Sequence, residues 1–326
     1  MEVKTILITG GTGLIGKALA KELKAKGHRL ILLSRGKQPS HDYDAVFRWD
    51  PKHKRFDTAA LDGVTDIIHL AGAGIADKRW TAERKEEIIE SRVAPLQAIH
   101  AALVARNQQI NTLISGSAIG WYGSGTDSLL HVENESAASD FMGETCKQWE
   151  DSAFALGDCS QRVATIRTGI VLGNDSGAFP ALLRPVKLGL GAPLGKGLQQ
   201  MPWIHISDIV AVFVEALENT AYSGPINATA TENCSNRDFT KVICKISHRP
   251  FWPIGVPSFV LKGLFGEMAS VILGGSRISN AKLRALGFSF EYTKLADAFR
   301  DLLKTQTPDS LNLTGVVYPV KPTNRG

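Results

Sequence analysis

Short apolar runs recur along the chain, separated by stretches of helical spacing. The runs "TILIT" (5–9), "RLILL" (29–33), "DIIHL" (66–70), "TLISG" (112–116) and "VATIRTGIVL" (163–172) are apolar on consecutive rather than alternate positions. Strands buried on both faces read this way, and their alternation with helices predicts βαβ units on a parallel sheet. Between the first two runs, Ile15, Leu19 and Leu23 share one side of a helix that closes at Gly27, with Lys24 and Lys26 in its last turn where they suit the helix dipole. "TAERKEEIIESRV" (81–93) predicts a helix with a charged, solvated face, kinked by Pro95 just past Arg92. The most apolar later segment, "SFVLKGLFGEMASVIL" (258–273), contains Lys262 and Glu267 and is shorter than the roughly 20 residues of a membrane span. It is expected as a helix buried between domains.

Composition narrows this picture. With 326 residues, 44% of them apolar and 21% charged, the chain can bury a large core as one large domain or two unequal ones. The net charge of +5 comes from Lys and Arg dispersed along the sequence, without a run of five like charges or aromatic–basic interleaving. That pattern sets nucleic acid aside and suits a polyanionic small molecule, such as a phosphorylated cofactor. Cys146, Cys159, Cys234 and Cys244 form no CxxC and no His–Cys spacing for zinc, so they read as reduced thiols of a cytoplasmic protein. The N-terminus enters a strand directly and leaves no room for a signal peptide. No metal, membrane or nucleic-acid partner is expected; a small-molecule substrate is, and a homodimer is allowed.

The most informative stretch is "TILITGGTGLIGKALAKELKAKGH", where an apolar strand runs through Gly10, Gly13 and Gly16 into a helix. Gly10 permits a tight turn, Gly13 lets backbone approach a pyrophosphate, and Gly16 lets the helix pack on the sheet with its free N–H groups facing the phosphates. This predicts dinucleotide binding by Gly10, Thr12, Gly13, Leu14, Ile15 and Gly16. The second strand ends in Ser34 and Arg35, where an NAD site places an acid on the ribose 2′-hydroxyl. A guanidinium there pairs with a 2′-phosphate, which favours NADP. Ala71 and Gly72 end the next strand with little bulk, so that the cofactor's ribose can lie close over the backbone, and Trp49 and Asp50 are candidates to border the adenine.

With "TGGTGLIG", "LSR", "HLAGAG", "SGSAIGWYG", "RTGIVLG" and "WIHISDIV" in this order, the chain resembles an extended short-chain dehydrogenase/reductase of the NAD(P)-dependent epimerase/dehydratase superfamily. "AGAGIADKRWT", "GLGAPLGKGLQQMPWIHISD", "GPINATA" and "GLFGEM" narrow the resemblance to the YfcH-type subfamily, whose members also carry the label SulA-like cell division inhibitor. The resemblance implies an α/β, doubly wound parallel-sheet Rossmann fold with a smaller α/β substrate-capping domain. The sheet is expected to hold six or seven strands. Residues 1–172 plus 203–231 would form the NADP-binding domain, 173–202 plus 232–305 the cap, and 306–326 a loosely held polar tail. The resemblance also implies cofactor contacts by Leu70, Ala71, Glu87, Arg92 and Ser115.

The same family uses a serine at the end of the central strand and a Tyr with a Lys one helical turn later. The ammonium is needed because a tyrosine near pKa 10 is a poor base at neutral pH. Ser117 fits the first role. At the second stand Phe141 or Met142 with Thr145 or Cys146, while Lys147 pairs by spacing with Gly143 and, at i+4, with Asp151. The remaining proton-group candidates are Tyr122, Glu135 and His205. Nucleotide-sugar enzymes of the superfamily place a diphosphate-clamping arginine before the "IH" motif, but Met201 and Pro202 occupy that place. Lys196, Gln199 and Gln200 sit in a Gly-rich loop that reads either as a polar contact surface or as a flap over the cleft. Two readings follow: an NADP-dependent oxidoreductase or epimerase of atypical mechanism, and a catalytically silent NADP-binding sensor.

Overall fold

The computed structural model describes residues 2–36, 42–51, 53–125 and 129–304, so the 306–326 tail lies outside the described residues. The strands are β1 (Thr5–Thr9), β2 (Arg29–Ser34), β3 (Ala45–Asp50), β4 (Arg55–Phe56), β5 (Asp66–His69), β6 (Ile110–Ala118), β7 (Leu130–His131), β8 (Ser160–Thr168), β9 (Ile170–Leu172), β10 (Trp203–His205), β11 (Gly224–Ala228) and β12 (Arg277–Ile278). The helices are α1 (Leu14–Ala25), α2 (Ala82–Ala105), α3 (Phe141–Phe154), α4 (Ala178–Lys187), α5 (Ile206–Glu218), α6 (Asn236–Ile246), α7 (Ser258–Phe265), α8 (Ala269–Leu273), α9 (Ala281–Ala285) and α10 (Leu295–Lys304).

Eight strands form one sheet in the order β11-β8-β6-β5-β1-β2-β3-β4. All neighbours pair in parallel except the two-residue edge strand β4, which returns antiparallel along β3 through Trp49 and Phe56. That short return is the strand beyond the expected six or seven; two residues carry no periodicity to read. Successive strand residues face opposite sides. Ile6 and Ile8 of β1 pack with Leu19 of α1 and Phe213 of α5, while Leu7 packs with Leu96 and Ile99 of α2 and Trp149 of α3. Helices thus cover both faces, and the sheet is doubly wound. The strand order reverses between β1 and β5, which opens a crevice at their carboxyl ends.

The later segments build a third core, in which Phe179 and Leu183 of α4 meet Phe239 and Ile243 of α6 and Phe299 of α10. One detail differs from expectation. The 258–273 segment is not one buried helix: α7 stops at Gly266, whose φ of +62° a side chain would strain, and only Leu261 of α7 is buried. The helix α2 runs through Pro95 to Ala105 as one element.

Two buried histidines set an acid limit. His69, on β5, bonds Thr9 Oγ1 at 2.7 Å, and burial pulls its pKa down to about 3. His205 caps α5 by accepting from the Ser207 N–H at 3.2 Å and lies against the Tyr292 ring at 3.9 Å. Burial lowers it to about 4, with Asp301 opposing. Both take up a proton near pH 6.5 when unfolded but only near pH 3–4 when folded. Stability should be complete above about pH 6.5 and fall as pH drops toward 4, by about 1.4 kcal/mol per pH unit for each histidine. Denaturant melts from pH 7 to pH 4.5 should show this slope, and His69→Asn should flatten it.

Candidate functional site

The carboxyl ends of β1, β2 and β5 border a cleft of about 710 Å³. Gly10 makes the turn from β1 with φ +70°, and a Cβ there would stand 2.4 Å from the Leu70 carbonyl carbon. A Cβ at Gly16 would reach 2.5 Å from the Gly10 oxygen, so α1 starts flush against the turn. Above Gly13 there is room, because its missing Cβ would meet only the Gly10 oxygen, at 3.3 Å. No side chain caps α1 and no acid sits in its first turn, so its leading N–H groups are left for an anion.

Of the residues predicted from sequence, Gly10, Thr12, Gly13, Ser34, Arg35, Leu70, Ala71, Gly72, Glu87 and Trp49 line this cleft. Arg35 is exposed at its rim, and among the described residues it makes no hydrogen bond or ion pair. Leu14, Ile15 and Gly16 do not line it; Leu14 instead packs toward Gly173 and Gly177. Asp50 turns away to bond His53 Nδ1 at 2.8 Å. Arg92 lies behind the wall, donating to the Ile88 and Ala73 carbonyls at 2.7 and 3.1 Å and stacking on Trp149. In that position it braces the loop after β5. Ser115 is fully buried, does not line the cleft, and donates to the Gly116 carbonyl at 2.9 Å.

The cleft also holds residues that the sequence did not single out, Arg84 and Lys78 among them. Arg84, in the first turn of α2, is only 7% exposed yet lines the cavity. It bonds Glu87 at 2.6 Å and the Gly74 carbonyl, while its buried Nε–H has no partner among the described residues. In the sequence it is one charge of a helix rich in charges. With Arg35 and Lys78 it gives the cleft three cations against the carboxylates of Asp77, Glu87 and Glu90, so it is the open glycine cradle beside an orphaned guanidinium donor that fits a phosphorylated dinucleotide.

Beyond the cleft wall lies a buried polar row. Ser117 on β6 pairs in register with Arg167 on β8, and Arg167 with Asn227 on β11. Glu150 of α3 descends onto the row. It accepts from Ser117 Oγ at 2.6 Å and from Arg167 Nε and Nη2 at 2.8 and 3.0 Å. Arg167 also donates to Tyr122 Oη and the Glu133 carbonyl, both at 3.1 Å, and lies 3.8 Å from the Trp121 ring centre. Burial works against its charge, but the Glu150 bonds and field outweigh it and raise its pKa. Tyr122 donates to Asn227 Oδ1 at 2.8 Å, and burial lifts its pKa to about 12 despite Arg167, which favours the protonated phenol. Sequence reasoning missed Glu150 and Arg167. The available signals were an arginine inside an otherwise apolar buried strand and a glutamate four residues after Cys146 on the same helical face.

That face of α3 carries Met142 and Cys146 where the Tyr and Lys would stand; both are buried against Gly120, and burial raises the Cys146 thiol to about 12. Lys147 pairs with Asp151 in solvent at 2.6 Å. Glu135 bonds His131 at 2.6 Å and the Val132 N–H at 2.8 Å, closing a local turn. His205 is taken up by its cap and Tyr292. The Gly-rich loop is pinned, with Gln199 Nε2 donating to the Leu194 and Ile272 carbonyls and Gln200 N to Gly275. One group with metal-capable side chains, His100, Asp158 and Cys159, sits at the amino-terminal end of β6 and β8, away from the cleft.

Comparison with known proteins places this geometry. The model of the NAD dependent epimerase/dehydratase family matches residues 6–228, and a domain of unknown function (DUF1731) matches 256–302. "Epimerase family protein SDR39U1 homolog, chloroplastic" of Arabidopsis thaliana is 32% identical, covering 92% of this chain and 87% of that one. Epimerase family protein YfhF of Bacillus subtilis is 31% identical over 91% of this chain and 97% of its own. The crystal structure of human epimerase family protein SDR39U1 (isoform 2) with NADPH superposes with a TM-score of 0.82 at 28% identity, covering 92% of this chain and 99% of that one.

Removing one member of the buried ion pair should be far worse than removing both. Arg167→Met leaves Glu150 without a countercharge and should cost about 3–5 kcal/mol, whereas Arg167→Met with Glu150→Leu should recover much of that loss. Urea melts of the two variants check it.

Proposed function

We propose, from the premise that this chain belongs to the NAD dependent epimerase/dehydratase family, that it is an NADP-dependent oxidoreductase or epimerase of atypical mechanism acting on a hydroxyl or carbonyl substrate. The observation that carries the cofactor is the glycine cradle with Arg35, Lys78 and Arg84 on the walls of one cleft. Arg35 and Ser34 stand where the 2′-phosphate of NADP would lie, and Gly10 to Gly13 with the start of α1 take the pyrophosphate. The human relative's structure with NADPH supports the same choice. When bound, the nicotinamide supplies a hydride acceptor or donor.

The protein's part is orientation and proton placement. Ser117 spends its own hydrogen on Glu150, so its lone pairs remain to accept from a substrate hydroxyl. Glu150 is a positioning residue: Arg167 holds it in a two-pronged grip, and it holds Ser117. Tyr122 fixes the far end of the row rather than accepting a proton. Met201 and Pro202, both buried, replace the cation that would clamp a diphosphate, so nucleotide sugars are one class to test rather than the assumed substrate. Four free, buried cysteines suit a reducing cytoplasm. The competing reading, a catalytically silent NADP-binding sensor, draws on Met142 and Cys146 at the Tyr–Lys positions.

Two measurements separate these readings. Arg35→Ala should weaken NADPH by about 1.5–3 kcal/mol, roughly tenfold to a hundredfold, and leave NADH nearly unchanged in a fluorescence titration. Against a panel of carbonyl and nucleotide-sugar substrates, Ser117→Ala should cut turnover by about 10²–10⁴ while NADPH still binds. A panel that stays inert with cofactor bound, and a partner recovered only with NADP present, would favour the sensor.

A further inference from the structure

The cations that look dispersed along the sequence are gathered in space. Residues 178–202 hold Arg184, Lys187 and Lys196 and no acid, and residues 236–265 hold five Lys and Arg against Asp238 alone. These two segments therefore carry seven net positive charges, more than the +5 of the whole chain. They are laced together: Trp252 donates through its backbone to Gly191 and through its indole to Gly189, both at 2.8 Å, and Arg237 donates to the Pro253 carbonyl at 3.1 Å and to Lys196 at 3.4 Å.

The helix α6 buries Phe239, Ile243 and Cys244, and on its outer side Arg237, Lys241 and Lys245 follow at four-residue spacing, with Arg249 next. Like charges so spaced repel, so the stripe opposes its own helix. Among the described residues, Lys241, Lys245, Arg249 and Lys262 make no ion pair. Beside the stripe project Leu188, Leu190, Trp252, Ile254, Phe259 and Leu264; Ile254 is 84% and Phe259 76% exposed.

We propose that this face docks on an anionic lipid bilayer. Exposed aliphatic and aromatic tips set among cations such as Lys241, Lys245, Arg249 and Lys262 are the composition of an interfacial surface: the tips enter the headgroup–acyl boundary and the cations meet anionic lipid. A second copy of this chain fits poorly, because a two-fold contact would press seven like charges against seven. Nucleic acid would answer the cations but leave Ile254 and Leu264 with nothing to bury against. The contact is peripheral, since among the described residues no helix is long and apolar enough to cross a membrane. The proposal departs from the expectation of no membrane partner, which the vesicle experiment below tests. The far end of α7 is tied to the lip of the cleft, where Arg79 donates to the Gly263 carbonyl at 2.8 Å and Lys85 pairs with Glu267 at 2.5 Å, so the docked face adjoins the cleft entrance. The inference stands independently of the proposed chemistry.

The test is co-sedimentation of the full chain with phosphatidylcholine vesicles, with and without phosphatidylserine, at low and physiological salt. Pelleting should require phosphatidylserine and weaken with salt. At about fivefold per basic residue, Lys241→Glu with Lys245→Glu should lower affinity at least about twentyfold. Ile254→Ser with Phe259→Ser should also release the protein, with melting temperature and NADPH binding unchanged in both variants. The proposal is overturned if phosphatidylserine vesicles fail to pellet the chain, or if both variants bind as well as the parent. It is equally overturned if the serine variant only converts a dimer to a monomer in sedimentation velocity, or if the chain retains duplex DNA but not vesicles.

Discussion

Much of the site rests on one guanidinium and one carboxylate shut away from water together. Arg167 and Glu150 are each 2% exposed at the side chain, and each ion gives up several kcal/mol of hydration to be there. Two parallel N–H···O bonds return part of that cost, and the remainder of the offset comes from neighbours: Ser117 on one carboxylate oxygen, Tyr122 and the Glu133 carbonyl on the guanidinium, and Trp121 across its face. Such a pair adds little net stability compared with apolar residues of the same shape. What it adds is position. Three adjacent strands present polar side chains at one level, and every one of them is held in a single orientation.

The cleft is fixed by a different constraint, the close approach of backbone to backbone. The exit of β1 passes so near the exit of β5 that no side chain fits at Gly10, and α1 begins so near the turn that none fits at Gly16. These contacts lie where the strand order reverses, so the crevice and the helix start are made by the same few residues. The loop after β5 then has to stay clear of the crevice. Arg92 holds it from behind at Ala73 and Arg84 from the front at Gly74, which gives two arginines of one helix different jobs at neighbouring carbonyls.

How much of this could be read beforehand follows from the range of each interaction. The sheet and the glycine turn are written in consecutive residues, so the run of strands and the residues of the cradle were visible, as was the absence of the Tyr–Lys pair. The roles of Arg84 and Arg92 were not separable, because both sit on a helix dense with charge and only the three-dimensional path of the 71–74 loop decides which one faces the ligand. Glu150 and Arg167 were invisible for the same reason: 17 residues separate them, and their pairing depends on α3 crossing β8. The basic face escaped notice because its cations come from two segments that only the fold brings side by side.

The polar row also constrains what chemistry can replace the missing pair. A tyrosine assisted by a lysine works because the ammonium stabilises the phenolate; here the only phenol on the row is pushed the other way, to about 12, and Arg167 does not compensate. Glu150 has its oxygens taken up by Ser117 and Arg167, which suits it to hold a hydroxyl rather than to receive a free proton. With Met142 and Cys146 apolar, the ionisable group of α3 that touches Ser117 is Glu150, whose oxygens are already engaged by Ser117 and Arg167. Any hydride transfer here therefore relies on alignment more than on acid–base assistance.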